Sequence, residues 1–247
     1  MVNRAKTCTD YTDWTRGEEE LLYAITDRRL YADEKTDALA RLVELAATWA
    51  ANGVSYIQIR ERDLPAREQV ELTRAIIHAA QHVSGKSSAP RILVNGRADV
   101  ALAAGADGVH LPSGRDSLAP EEVRSIFAAA GHSRPPVISI SCHTLEEVKV
   151  ARQQSPDCIL FAPVFEKMIR EQAIAVDAGE SGGGVSRLPG TGLASLEQAC
   201  RAAAPVPVFA LGGVTEENAA DCLRAGAAGI AAIRLLQEPP SAWKHLA

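Results

Sequence analysis

A chain of 247 residues that is 47 % hydrophobic and 23 % charged can bury one large core, and α/β barrels of this length form single domains. Its formal charge of -5 gives no reason to expect a nucleic-acid surface, and neither a membrane-spanning apolar run nor the apolar core of a secretion signal is present. Five cysteines, Cys8, Cys142, Cys158, Cys200 and Cys222, are odd in number and lack metal-ligand spacing, which favours reduced thiols in a cytoplasmic protein.

Residues 1–20 are polar, have no sustained period and read as an extension before the fold, which spans 21–247. The first strand is Leu21-Leu22-Tyr23-Ala24-Ile25-Thr26. Asp37 is then a plausible N-cap, because Leu39, Leu42, Leu45, Ala46 and Trp49 recur at helical spacing until Gly53 stops the run. The same unit repeats along the chain. Strands are predicted at Tyr56–Arg60, Ile92–Asn95, Gly108–Leu111, Val137–Ser141, Cys158–Val164, Val206–Leu211 and Gly229–Ile233. Helices begin near Pro65, Ala98, Pro120, Thr144, Leu193 and Thr215. The joint Ala-Ala-Gly-Ala-Asp-Gly-Val-His at 103–110 parallels Arg-Ala-Gly-Ala-Ala-Gly-Ile-Ala at 224–231, where glycine supplies the left-handed residue that ends a helix. Eight strands alternating with helices predict a closed (β/α)8 TIM barrel, and no G-x-G-x-x-G follows the first strand to favour an open doubly wound sheet.

One segment breaks the rhythm. Residues 166–188 are about twice the length of an ordinary connection, and their Glu180-Ser181-Gly182-Gly183-Gly184 tract has neither helical nor strand period. Placed after the sixth strand, the segment reads as a mobile lid, with Lys167 and Arg170 as its candidate functional residues.

Barrels carry their chemistry at the C-terminal ends of strands. That rule selects Gln58, Arg60, Arg62, Asn95, His110, Ser141, His143, Lys167, Arg170, Gly212, Gly213 and Arg234. Four guanidinium groups and a lysine on one face repel each other unless an anion neutralises them, which implies a phosphate-bearing ligand. Val206–Thr215, V-P-V-F-A-L-G-G-V-T, and Gly229–Leu235 form the natural anion cradle. Each residue also has a plainer reading. Gln58 and Arg60 alternate with Ile57 and Ile59 and could simply line the barrel. His110 is more often a satisfied barrel histidine than a catalyst, His143 could be an idle residue at a helix start, and paired glycines serve any tight turn.

The motifs Y-I-Q-I-R-E-R, L-V-N-G-R-A-D-V-A-L, G-A-D-G-V-H-L, S-C-H-T-L-E-E-V, F-A-P-V-F and A-L-G-G-V-T, in this order over about residues 21–237, resemble those of the thiamine phosphate synthase and TenI (thiazole tautomerase) family. The resemblance implies a TIM barrel that holds a thiazole phosphate by backbone amides after its seventh and eighth strands. By position, Gly212, Gly213, Ile233 and Arg234 match that cradle. Gln58, Arg60, Arg62, Asn95 and Ser141 match the residues that hold a pyrimidine pyrophosphate in synthases, and His143 matches the histidine credited with proton transfer in TenI proteins.

The departures concern charge and metal. Arg62 stands where synthases usually have lysine, and Arg234 where the family commonly has serine. Asn95-Gly96 replaces an Asn-Asp pair, and His110-Leu111-Pro112-Ser113-Gly114-Arg115 replaces H-L-G-Q-x-D, so both aspartates that bind magnesium in synthases are missing, with Asp116 one residue late. The expected activity is therefore that of an isomerase, a TenI-like thiazole tautomerase needing no metal or other cofactor, with His143 as the proton shuttle. The alternatives are a transferase, thiamine phosphate synthase with Mg2+, and a non-catalytic thiazole-phosphate-binding protein. The expected partner is the small thiazole phosphate, and a homo-oligomer is compatible with the sequence.

Overall fold

Alternation of side chains along short parallel strands decides where the core ends and the site begins. The computed structural model describes residues 21–31, 37–85, 89–114, 117–170 and 185–246. The expected extension at 1–20, together with Arg115 and Asp116, lies outside the described residues. The first six strands are β1 (Leu21–Ile25), β2 (Tyr56–Ile59), β3 (Arg91–Asn95), β4 (Gly108–Leu111), β5 (Val137–Cys142) and β6 (Cys158–Phe161). A separate ribbon, β7 (Lys167–Arg170) and β8 (Val185–Leu188), precedes β9 (Val208–Leu211) and β10 (Gly229–Ala232). β1 to β6, β9 and β10 close a parallel barrel in which β6 pairs with β9 and β10 returns to β1.

Helices α1 (Ala38–Ala51), α2 (Ala66–Ser84), α3 (Ala98–Ala104), α4 (Pro120–Ala129), α5 (Leu145–Gln153), α6 (Leu193–Ala203) and α7 (Glu216–Arg224) connect successive barrel strands. Their starts follow local chemistry. The Asp37 carboxylate accepts the Leu39 amide at 3.0 Å, Thr144 Oγ1 accepts that of Glu147 at 3.2 Å, and Asn218 Oδ1 accepts that of Thr215 at 2.8 Å. Among the described residues β10 is followed by short 3-10 turns, and the Trp49 indole of α1 donates to the Leu236 carbonyl at 2.5 Å, fastening the first of them to the barrel.

Outward-facing residues such as Ile57, Ile59, Val109, Ile138, Ile159 and Phe161 pack under the helices, whereas inward-facing Tyr23, Tyr56, Leu93, Leu160 and Phe209 fill the barrel. The Tyr23 and Tyr56 rings stack at 5.3 Å, and Phe209 meets both edge-on at 5.6 and 5.7 Å. This aromatic floor makes the barrel a packed core rather than a pore.

The paired joints of the sequence have a second cause besides helix termination. A Cβ on Gly108 would lie 1.8 Å from the Val137 carbonyl oxygen, and one on Gly229 would lie 2.0 Å from that of Leu21. Glycine at both strand starts lets neighbouring backbones approach.

Two expectations need correction. β6 and β9 are shorter than predicted, because Pro163 and Pro207 remove amide donors where the ladders would continue. The segment after β6, read from sequence as a long lid-like loop, carries at its two ends an antiparallel ladder in which Lys167 pairs with Leu188 and Arg170 with Val185. Each arm is four residues long and its partner is far along the chain, so no local period announced it. The glycine tract of the expected lid lies outside the described residues.

Candidate active site at the barrel mouth

Above the aromatic floor the inward positions become polar. Gln58, only 1 % exposed, donates through Nε2 to Asn95 Oδ1 at 2.8 Å, and its buried Oε1 has no partner among the described residues. Two residues on, the Arg60 amide donates to Thr26 Oγ1 at 2.9 Å and the guanidinium sits half-buried. Burial lowers the Arg60 pKa, and the charge of Arg62 lowers it further. Among the described residues neither Arg60, Arg62 nor Arg234 forms an ion pair.

The carboxylates nearby are already engaged. Glu61, buried, accepts from the Arg28 guanidinium at 3.0 Å, Asp63 accepts from the same group at 2.7 Å, and Asp27 accepts from Arg29 at 2.8 Å. The Arg28 hydrogen bond holds the Asp63 carboxyl down at about 2, so it stays charged. Sequence reasoning missed this network. Its signal was the alternation of basic and acidic residues in Arg60-Glu61-Arg62-Asp63, opposite Asp27-Arg28-Arg29.

Across the barrel, His110 points inward from β4 and is 3 % exposed. Its Nδ1 lies 2.8 Å from Ser139 Oγ and its Nε2 2.9 Å from Ser141 Oγ. Burial, with Arg62 and Arg60 adding repulsion, pushes its pKa down to about 3, so the ring is neutral at pH 7. The plainer reading of His110 is the one the structure supports. Ser141, one inward step above Ser139 on β5, lies half-buried at the rim.

His143 occupies the exposed rim before α5. Its Nδ1 is 2.6 Å from the Ala162 carbonyl oxygen, which can only accept, so Nδ1 carries a proton. In the neutral ring, Nε2 therefore accepts from the Ser113 hydroxyl at 2.8 Å. The His143 amide donates to the Glu147 carboxylate at 2.5 Å. Both faces of the imidazole are thus oriented, as proton transfer requires. Ser113 is a partner that sequence reasoning treated only as a departure from the family pattern.

On the opposite side, Gly212 (φ +93°) and Gly213 (φ +67°) turn the chain from β9 into α7. A Cβ at 212 would lie 2.8 Å from Pro163, and one at 213 would lie 2.7 Å from the Glu166 carbonyl oxygen. Phe165 donates to the Gly212 carbonyl at 3.0 Å and Asn218 Nδ2 to that of Gly213 at 3.1 Å. The amides of Gly213 and Arg234 donate to no backbone acceptor among the described residues. Ile233 packs against the barrel interior, and Arg234, exposed, precedes the 3-10 turn Leu235–Gln237. Backbone donors left open at such turns suit an anion. Lys167 and Arg170 occupy the first and last positions of β7, on the ribbon rather than in the barrel wall.

The described residues do not fit magnesium. Asn95 Oδ1 already accepts from Gln58, and Gly96 offers no side chain. No group of three or more His, Cys, Asp or Glu among the described residues could hold a metal ion. A cavity of about 380 Å³ lies beside this site, on the outer side of β4 and β5, where Leu111, Ile140 and Cys142 line it. Among the described residues no helix is long and apolar enough to cross a membrane.

The closed ring of eight parallel strands makes this protein a (β/α)8 barrel, whose mouth carries, among the described residues, guanidinium groups without an ion pair on one side and an open glycine turn on the other. Comparison with known proteins narrows the class. A family model described as thiamine monophosphate synthase matches residues 22–181 and 185–236. A Geobacter sulfurreducens relative, which bears the thiamine-phosphate synthase name provisionally, is 37 % identical over 89 % of this chain and 87 % of its own length. The thiamine-phosphate synthase of Methanoculleus marisnigri is 35 % identical over 86 % of this chain and 85 % of its own. Among solved structures, the thiamine phosphate pyrophosphorylase of Pyrococcus furiosus superposes with a TM-score of 0.65 at 26 % identity, covering 92 % of this chain and 91 % of that one. The chain belongs to the thiamine phosphate synthase/TenI family, whose work is thiamine biosynthesis.

Proposed function

We propose that the protein is a transferase that joins a thiazole phosphate to a pyrimidine pyrophosphate and releases pyrophosphate. The thiazole phosphate is held at Gly212, Gly213, Ile233 and Arg234. Gln58, Arg60, Arg62, Asn95 and Ser141 hold the pyrimidine pyrophosphate. The names of the relatives favour this over the tautomerase expected from sequence.

The observation that carries it is a second recognition surface. An isomerase acting on one thiazole phosphate needs only the cradle and a proton shuttle, yet β2 presents a buried Gln58 with an unmatched Oε1 beside a half-buried, unpaired Arg60. An unmade buried hydrogen bond costs roughly 1–3 kcal/mol. A ligand with hydrogen-bonding ring edges and a charged pyrophosphate relieves both defects at once. Arg60 and Arg62 then neutralise the charge that grows on the departing pyrophosphate, a role that preorganised cations fill without rearrangement. Each role named here is filled by this chain's own residues.

A second reading, the metal-independent tautomerase, is favoured by Gly96 and by His143, whose Nδ1–H is fixed on Ala162 and whose Nε2 faces Ser113. Purified protein is to be incubated with both substrates, with and without Mg2+, while thiamine phosphate and thiazole isomerisation are followed separately. Thiamine phosphate formation at enzyme-like rates is the expected result. Isomerisation alone, abolished in His143→Ala, overturns the transferase assignment in favour of the tautomerase.

A further inference from the structure

A polar chain crosses the barrel interior from floor to rim, joining Tyr23, Ser139, His110 and Ser141. The structure assigns this chain a single hydrogen-bond direction, which makes Ser141 a donor presenting its O–H to pyrophosphate oxygens and makes His110 the residue that positions it. The second half of this statement rests on the reading above, in which Ser141 faces a pyrophosphate.

The direction follows from where the protons have to go. The Tyr23 side chain is fully buried, and among the described residues its hydroxyl has one partner, Ser139 Oγ at 2.9 Å. Burial raises its pKa, so the phenol keeps its proton and donates it to Ser139. Ser139 is also fully buried, and among the described residues the only other partner of its hydroxyl is His110 Nδ1 at 2.8 Å. Having accepted from Tyr23, Ser139 donates its own proton to Nδ1, which is therefore the bare nitrogen. A neutral imidazole carries one N–H. That proton sits on Nε2 and is donated to Ser141 Oγ at 2.9 Å.

Ser141 ends the chain at the half-buried rim with its own proton uncommitted. The reverse direction would orphan the phenol proton in the barrel core, a costly defect, and would turn the Ser141 proton inward. Ser141 would then offer an anion only lone pairs. The neighbouring charges agree, because Arg60 and Arg62 face His110 and disfavour a second proton on the ring. The chain thus carries the hydroxyl of Tyr23, on the first strand, to a ligand contact on the fifth.

Nitrogen-15 NMR of the full-length protein, labelled at histidine, tests the direction. At pH 7 His110 is expected to carry its proton on Nε2 and to have a bare Nδ1. A protonated Nδ1 overturns the proposal. The functional half is read by calorimetric titration with inorganic pyrophosphate. Ser141→Ala and His110→Leu are each expected to weaken binding about tenfold, the loss of one charge-assisted hydrogen bond. The double variant is expected to be no weaker than the worse single, because His110 acts through Ser141. His110→Gln, whose amide N–H can replace Nε2–H, is expected to recover most of the loss. Losses that multiply overturn the positioning role. Unchanged affinity in Ser141→Ala, with Nε2 protonated, overturns the pyrophosphate reading while leaving the chain direction standing. The NMR experiment on the wild type stands even if a variant fails to fold.

Discussion

The two sides of the barrel mouth meet charge by different means. On the β9–β10 side recognition lies in the backbone, in Gly212 and Gly213 held at positive φ against Pro163, Phe165 and Glu166. On the β2–β5 side it lies in side chains whose readiness comes from burial and from one another, as with Gln58 on Asn95 and His110 between two serines. A backbone site is specified by what must be missing, namely a Cβ. A side-chain site is specified by what has been left unpaired.

That contrast predicts graded damage. The largest effect belongs to Gly212→Ala. A non-glycine residue at this φ costs about 1–3 kcal/mol before any clash, and its Cβ would also overlap Pro163 at 2.8 Å. We expect thiazole-phosphate binding to fall more than about tenfold and the thermal midpoint to drop by several degrees, read by calorimetry and thermal unfolding. Wild-type binding in this variant would sink the backbone account.

Arg60→Ala should separate function from stability. Pyrophosphate affinity is expected to fall roughly tenfold to a hundredfold, the worth of a charge-assisted hydrogen bond. The unliganded protein is expected to be no less stable, because the variant removes an unpaired guanidinium beside Arg62. Destabilisation of the unliganded protein, measured by urea unfolding, would show that Arg60 is structural.

The smallest effect is a pH dependence. His110 has a pKa of about 3 in the folded protein against about 6.5 when unfolded, so the unfolded chain takes up the proton first. The resulting stability is full above about pH 6.5 and is lost as pH falls toward about 3. Between about pH 7 and 5.5 the loss is about 1 kcal/mol, and it should vanish in His110→Gln. Equal slopes in the two proteins would mean that His110 does not titrate as its burial requires.

How much was legible in the sequence follows the range of the interactions. Asp37, Thr144 and the helix-ending glycines act within one turn, and the helix boundaries they imply agree with the structure. Strand ends could be read because Gln58 and Arg60, or Ser139 and Ser141, alternate with apolar neighbours that need the helices. The rim candidates followed from their places at the C-terminal ends of the predicted strands. What stayed hidden depends on contacts distant in sequence. Arg28 meets Glu61 across 33 residues, and Tyr23 meets Ser139 across 116. The unmatched Gln58 Oε1 was equally invisible, since an absence of partners is a property of the packed barrel.

The ribbon after β6 has a consequence for how this protein can change over generations. Lys167 lies opposite Leu188 and Arg170 opposite Val185, with Glu166 and Arg187 bridged at 2.9 Å, so the chain leaves the barrel and returns to it at one point. To the eight strands, the excursion behaves as a plug with a fixed socket. For any flexible connection, doubling the length adds only about 0.6 kcal/mol of closure entropy. Segments of different length and chemistry can therefore be grafted there without shifting the register of a single barrel strand.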